Sequence, residues 1–83
     1  MDMRVLVGEN VRQTRKLRGL TQEQFAAKSG FSQQYLSSLE NGRRNPSVIT
    51  LYEIAVALSV EPADLLRPMR AKPKTKQTRR AKR

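Results

Sequence analysis

Cysteine and histidine are both missing from this 83-residue chain, and each absence removes a class of chemistry. Without cysteine there is no disulfide framework, no thiolate metal site and no sulfur nucleophile, so the sequence carries no mark of its redox compartment. Without histidine, the commonest general base and the commonest metal ligand are gone. Carboxylates and lysines remain, but an enzyme built on them needs a pocket. A chain this short has barely enough interior to hold itself together. No enzyme, cofactor or metal is expected. Long apolar runs are lacking as well. The opening MDMRVLVGENV has one short apolar stretch with charges close behind it, unlike a signal peptide, and no segment approaches membrane-spanning length. The expectation is a soluble, cytoplasmic protein with no membrane partner.

Charge of negative sign is the next scarcity. Seven acidic residues face 17 basic ones, for a formal net charge of +10. The imbalance is concentrated at one end: eight basic residues and no acidic one fall after Pro68. The first 67 residues hold nine basic and seven acidic groups and are nearly neutral. The last segment, MRAKPKTKQTRRAKR, has two alanines and a methionine as its apolar residues. It cannot bury enough surface to offset the entropy of ordering, so residues 68–83 are expected to be a disordered basic tail on a 1–67 domain.

What is present in 1–67 is a helical period broken by polar, glycine or proline punctuation. The first helix is expected over Met3 to Arg18, with Val7, Val11 and Thr14 on one face and Gly19 beyond its end. Thr21 and Gln24 form a capping box that opens a second helix, about Gln22 to Lys28, burying Phe25 and Ala26. Ser32 is the natural N-cap of a third, about Gln33 to Glu40, with Leu36 and Leu39 inward and Asn41-Gly42 as its stop. Asn45 or Ser47 caps a fourth helix whose Val48, Leu51, Ile54, Ala55 and Leu58 share a face. Val60 closes the next turn, and Glu61 to Leu66 reads as a short fifth helix with Pro62 at its first position. The fold class is all-α with five short helices.

The second and third helices have helix-turn-helix spacing, with Gly30 in the three or four residues between them. The third is also polar over most of its circumference without being charged. Gln33, Gln34, Ser37 and Ser38 could be an ordinary solvated face, but such faces generally carry Lys and Glu. Glutamine can pair bidentately with an adenine edge, and serine can donate or accept, so the pattern suits base reading.

These residues also carry a resemblance. The run from Val7 to Leu66 resembles the Cro/repressor-type (Xre) helix-turn-helix family. The similarity lies in Leu20-Thr21-Gln22-Glu23-Gln24-Phe25-Ala26, in Ser32-Gln33-Gln34-Tyr35-Leu36-Ser37-Ser38-Leu39-Glu40-Asn41-Gly42, and in Asn45-Pro46-Ser47 followed by Leu51, Ala55 and Leu58. It implies a five-helix, lambda-repressor-like domain that binds double-stranded DNA as a transcriptional regulator. The helix 33–40 would lie in the major groove, with two protomers on a near-palindromic site. By the same resemblance Gln33, Gln34, Ser37 and Ser38 contact bases, though Ser38 stands where relatives often have a longer side chain. Gln22, Ser32, Tyr35, Asn41, Arg43 and Arg44 contact the DNA backbone. For Tyr35 two roles stay open, a hydroxyl on a phosphate or a ring closing the edge of the core. Arg15 and Glu40 match a scaffold ion pair that orients the third helix. Two positions depart from the pattern: Thr14 stands where a larger apolar residue is usual, and Ser59 where glycine commonly closes the fourth helix.

A reading of another class is an antitoxin or adaptor that keeps the helix-turn-helix as an interaction module, its tail docking on an acidic protein. Such a module should offer an amphipathic segment to its partner, and the tail has no apolar face. A third, charge-driven non-specific nucleic-acid binding, would leave Gln33-Gln34 accidental.

Overall fold

The computed structural model describes residues 2–68; the basic segment lies outside them. Four α-helices and one 3-10 turn follow in order: α1 Met3–Leu17, α2 Gln22–Ser29, α3 Gln33–Glu40, α4 Val48–Leu58, then Pro62–Leu65. Each α-helix starts at a side chain that satisfies an otherwise orphaned backbone N–H. Asp2 Oδ1 accepts from Arg4 N at 3.0 Å, and Arg4's hydrogen bonds hold the Asp2 carboxyl below its ordinary pKa. Thr21 and Gln24 make the reciprocal box at 3.0 and 2.9 Å. Ser32 caps Tyr35 N, and Ser47, rather than Asn45, caps Thr50 N.

The fifth helix is a correction. Asp64 N bonds to Glu61 O and Leu66 N to Ala63 O, both i to i+3, so this element is a four-residue 3-10 turn. Pro62 at its head and Pro68 shortly beyond leave too few residues for a second turn, and runs this short take the tighter bonding. Val48 is a second correction. It belongs by spacing to the inward face of α4, yet it is 80% exposed, while Leu51 in the same turn is buried; at 100° per residue Val48 stands at the edge of the inward arc.

The core is one cluster. Val7 and Val11 of α1, Phe25 of α2, Leu36 and Leu39 of α3, Leu51, Ile54, Ala55 and Leu58 of α4, and Leu65 all close on each other. Burying each of these Val, Leu, Ile and Phe side chains contributes roughly 1.5–3 kcal/mol. α1 packs on α3, α2 on α3 and α4, and the 3-10 turn on α1 and α4. Buried Asn10 ties the end of the domain in by donating to Leu65 O at 2.9 Å and Arg67 O at 2.7 Å. Thr14 is buried and lines a surface cleft of about 350 Å³ with Leu17, Val60 and Pro68. A larger apolar residue at Thr14 would fill part of it.

Candidate nucleic-acid interface

The turn between α2 and α3 hinges on Gly30, whose φ of 84° is left-handed and suits glycine. Two helices of eight residues each leave this turn, and α3 lies at the surface on one side. At 100° per residue, Gln33, Gln34, Ser37 and Ser38 span an arc of about 140° facing away from Leu36 and Leu39. The two glutamines are exposed and the two serines half-buried. The four base-contacting candidates therefore share one face. Its outward groups carry hydrogen-bonding capacity and no charge.

α3 is held at both ends. At its start, the exposed Ser32 accepts through Oγ from Tyr35 N at 3.0 Å. At its last turn, α1 comes in close. A Cβ on Gly8 would sit 2.4 Å from Leu39 O and 2.9 Å from Glu40 O, so glycine alone permits this approach. The Glu40 carboxylate turns inward and is buried, Oε2 accepting from Arg15 Nε at 2.7 Å and Oε1 from Arg15 Nη2 at 3.1 Å. The ion pair expected from Arg15 and Glu40 is formed.

Gln22 joins it. Its Nε2 donates to Glu40 Oε1 at 3.0 Å, and Arg15 Nη1 donates onward to Leu20 O at 2.8 Å. The first turn of α2, the last turn of α3 and the last turn of α1 thus meet on one carboxylate. A fork-shaped guanidinium suits this geometry, since it supplies parallel bonds to the carboxylate and a further donor to a carbonyl. The arrangement orients α3 relative to α2 and keeps the negative charge of Glu40 off the outward face.

The remaining candidates gather past the C-terminus of α3. Asn41 N and Arg43 N donate to the carbonyls of Ser37 and Ser38 at 3.1 and 2.9 Å, which wraps the loop around the helix end. Asn41, Arg43 and Arg44 are exposed. The Arg44 guanidinium lies 5.2 Å from the Tyr35 ring centroid, and Phe31 stacks on the same ring at 5.3 Å between centroids. Tyr35 is half-buried against the core cluster, so its ring closes the core edge and also steadies an arginine beside α3.

Sequence reasoning missed three supporting residues: Gly8, Asn10 and Arg18. Arg18 donates from Nε to Leu58 O at 2.8 Å and from Nη2 to Ser59 O at 3.1 Å, finishing α4. Asn10 had a visible signal, a polar residue three positions from Val7 on the apolar face of α1. Gly8 and Arg18 had none, because their partners lie more than 30 residues away.

A short helix seated by two others, with an uncharged hydrogen-bonding face and arginines at its end, defines a helix-turn-helix domain. The family model described as Helix-turn-helix matches residues 11–65, and the chain belongs to that family. It is 65% identical over 68 residues to the HTH-type transcriptional regulator y4dJ of Sinorhizobium fredii, covering 82% of this chain and 88% of that one. Among solved structures it is similar to the restriction-modification controller protein C.AhdI from Aeromonas hydrophila, with a TM-score of 0.72 at 37% identity, covering 75% and 94% of the two chains. It is also similar to SinR, the master regulator for biofilm formation, solved in complex with DNA: TM-score 0.70, 34% identity, 74% and 98% covered. Among the described residues no helix is long and apolar enough to cross a membrane.

Proposed function

We propose that this protein is a DNA-binding transcriptional regulator, not an enzyme, which works in the cytoplasm by occupying an operator with α3 in the major groove. The observation that carries the reading is the outward face of Gln33, Gln34, Ser37 and Ser38, fixed in place by the Arg15–Glu40–Gln22 network. Gln33 and Gln34 read base edges, Ser37 and Ser38 assist from the next turn, and Gln22, Ser32, Asn41, Arg43 and Arg44 hold phosphates. Backbone contacts set register and orientation, and base contacts set sequence. Gln22 keeps one amide hydrogen for a phosphate after serving Glu40. The Tyr35 hydroxyl is a further donor on that side. Two copies on a near-palindromic site would place their α3 helices one helical turn apart, about 34 Å.

Selection of bound fragments from a random duplex pool tests the reading: a near-palindromic consensus is expected. On that consensus, Gln33→Ala and Gln34→Ala should each weaken binding by roughly 1–3 kcal/mol and relax one base position per half-site. Unrelated duplex should be bound as before. An unchanged ratio of specific to non-specific affinity would remove α3 as the reading element.

The basic segment 68–83 is assigned to phosphate contact on the strength of its eight cations. Each neutralised phosphate adds close to one unit to the slope of log affinity against log salt. Truncation after Pro68 should flatten that slope by several units and leave the preferred sequence unaltered. An unaltered slope would favour an acidic protein as the partner of this segment.

A further inference from the structure

The outward arc of α3 has two edges, and each is finished differently. At 100° per residue Glu40 stands about 20° beyond Gln33 on one edge, and Tyr35 about 60° beyond Ser38 on the other. The Glu40 edge is closed by bonds to Arg15 and Gln22. The Tyr35 edge is closed by three side chains from three separate places in the chain. Phe31 lies in the turn between α2 and α3, Tyr35 in α3, and Arg44 in the loop that follows. The Phe31 and Tyr35 rings are 5.3 Å apart between centroids and 24° from parallel. The Arg44 guanidinium carbon lies over the Tyr35 ring, 5.2 Å from its centroid.

Both rings are half-buried against the core cluster, so packing sets their planes. Arg44 is exposed. Among the described residues its charge has no carboxylate partner, the ion pairs there belonging to Arg4, Arg15 and Arg67. Its side chain makes no hydrogen bond among those residues either. The aromatic face is what holds it. Arg43, also exposed, has no ring beneath it among the described residues.

We propose that Phe31 is a positioning residue for DNA binding: it fixes the plane of the Tyr35 ring, and that ring presents Arg44 to a backbone phosphate beside α3. A guanidinium on a ring face keeps its charge, and its N–H fork remains able to take two oxygens of a phosphate. An arginine held in place before the anion arrives loses less freedom on binding it. Arg43 has that freedom still to lose. The stack therefore ranks the two loop arginines, with Arg44 the prearranged contact and Arg43 the adaptable one. Closing the core edge needs only apolar bulk at Phe31 and Tyr35, which leucine would provide. Seating a cation needs the ring face. The phosphate in this inference rests on the DNA-binding reading, whereas the stack itself is measured without DNA.

In the DNA-free full chain, the Arg44 side-chain protons should resonate upfield in the ring current of Tyr35. Tyr35→Phe should keep that shift, Tyr35→Leu should abolish it, and Phe31→Leu should reduce it. On duplex selected from a random pool, Arg44→Ala should lower the slope of log affinity against log salt by about one unit. Phe31→Leu should raise the dissociation constant roughly two- to fivefold, the range of an exposed cation–π contact, and leave the salt slope as it was because the charge remains. In an Arg44→Ala background, Phe31→Leu should add nothing. A purely structural role for Phe31 would weaken both backgrounds equally. Unshifted Arg44 protons in the parent, or equal losses from Phe31→Leu with and without Arg44, would overturn the proposal and leave the DNA reading standing. A chain that shows the ring-current shift but binds no duplex would overturn the DNA reading, and the phosphate role with it.

Discussion

α3 and α4 each turn one face inward and one face outward, yet their outward faces have opposite chemistry. α3 shows glutamine and serine; α4 shows valine, isoleucine and tyrosine. Neither shows the mixed charge of an ordinary solvated helix, which this protein does display on α1, where Glu9, Arg12, Gln13 and Lys16 lie together. The contrast teaches where to look for partners. The outward side of α4 sets one charge, Glu53, beside its apolar residues, whereas the outward arc of α3 carries no charge and offers hydrogen bonds alone.

The largest expected effect comes from the carboxylate under α3. Glu40→Ala leaves the Arg15 guanidinium buried without its partner, which typically costs about 3–5 kcal/mol. Thermal or urea unfolding should show the loss. Replacing both partners with apolar residues of similar volume, as in Arg15→Met with Glu40→Leu, should recover most of it by the same reasoning. The double variant should still bind DNA poorly, because α3 and Gln22 have lost their common anchor. A double variant with parental stability and parental affinity would show that the network orients nothing.

Gly8→Ala comes next. The new methyl group meets two carbonyl oxygens of α3, backbone atoms that cannot swing aside. Overpacking of this kind costs about 1–3 kcal/mol. Because the clash falls on Leu39 and Glu40, the displacement is passed to α3, and specific DNA binding should weaken more than binding to unrelated duplex. Equal losses in both would mean that the seating of α3 does not govern base reading.

The parts of this architecture that local rules govern were legible in the chain: all four α-helices, the Thr21–Gln24 capping box, the Ser32 cap and the inward positions of α1, α2 and α3; at α4 the chain left Asn45 and Ser47 as alternatives, and the structure selects Ser47. The ion pair of Arg15 with Glu40 was legible only through family resemblance, since nothing between positions 15 and 40 announces a contact. The distant carbonyl partners stayed hidden, Leu58 for Arg18 and Leu65 for Asn10, although Asn10 itself stood out as a polar residue on an apolar face. The fifth helix was overread because proline and a following apolar pair look the same at the head of an α-helix and of a 3-10 turn. Val48 was overread because periodicity assigns a face and cannot say where the core stops. Nine apolar residues in eleven did signal that α4 has more than one face to cover. The base-reading face of α3 was visible in its residue types, while the bond from Gln22 to Glu40 needed the fold.

The smallest expected effect concerns the end of α4. Ser59 is the one non-glycine residue with positive φ among those described, at φ 61° and ψ 42°. A side chain in this left-handed region costs roughly 1–2 kcal/mol through the approach of its Cβ to the following carbonyl. Val60 N bonds to Ala55 O at 3.0 Å across the same turn, and Arg18 holds the carbonyls of Leu58 and Ser59. The surrounding bonds therefore keep the conformation whatever residue stands there. Ser59→Gly removes the strain, but glycine gives the unfolded chain more freedom, which offsets about 0.4–1 kcal/mol of the gain. The net should be a stabilisation of about 0.5 kcal/mol, seen as a rise of about 2–4 °C in melting temperature for a domain of this size. Base preference should not move, since α3 packs on α1 and α2, away from this bond network. A Ser59→Gly chain that melts lower than the parent would mean that the serine makes a contact stronger than its strain.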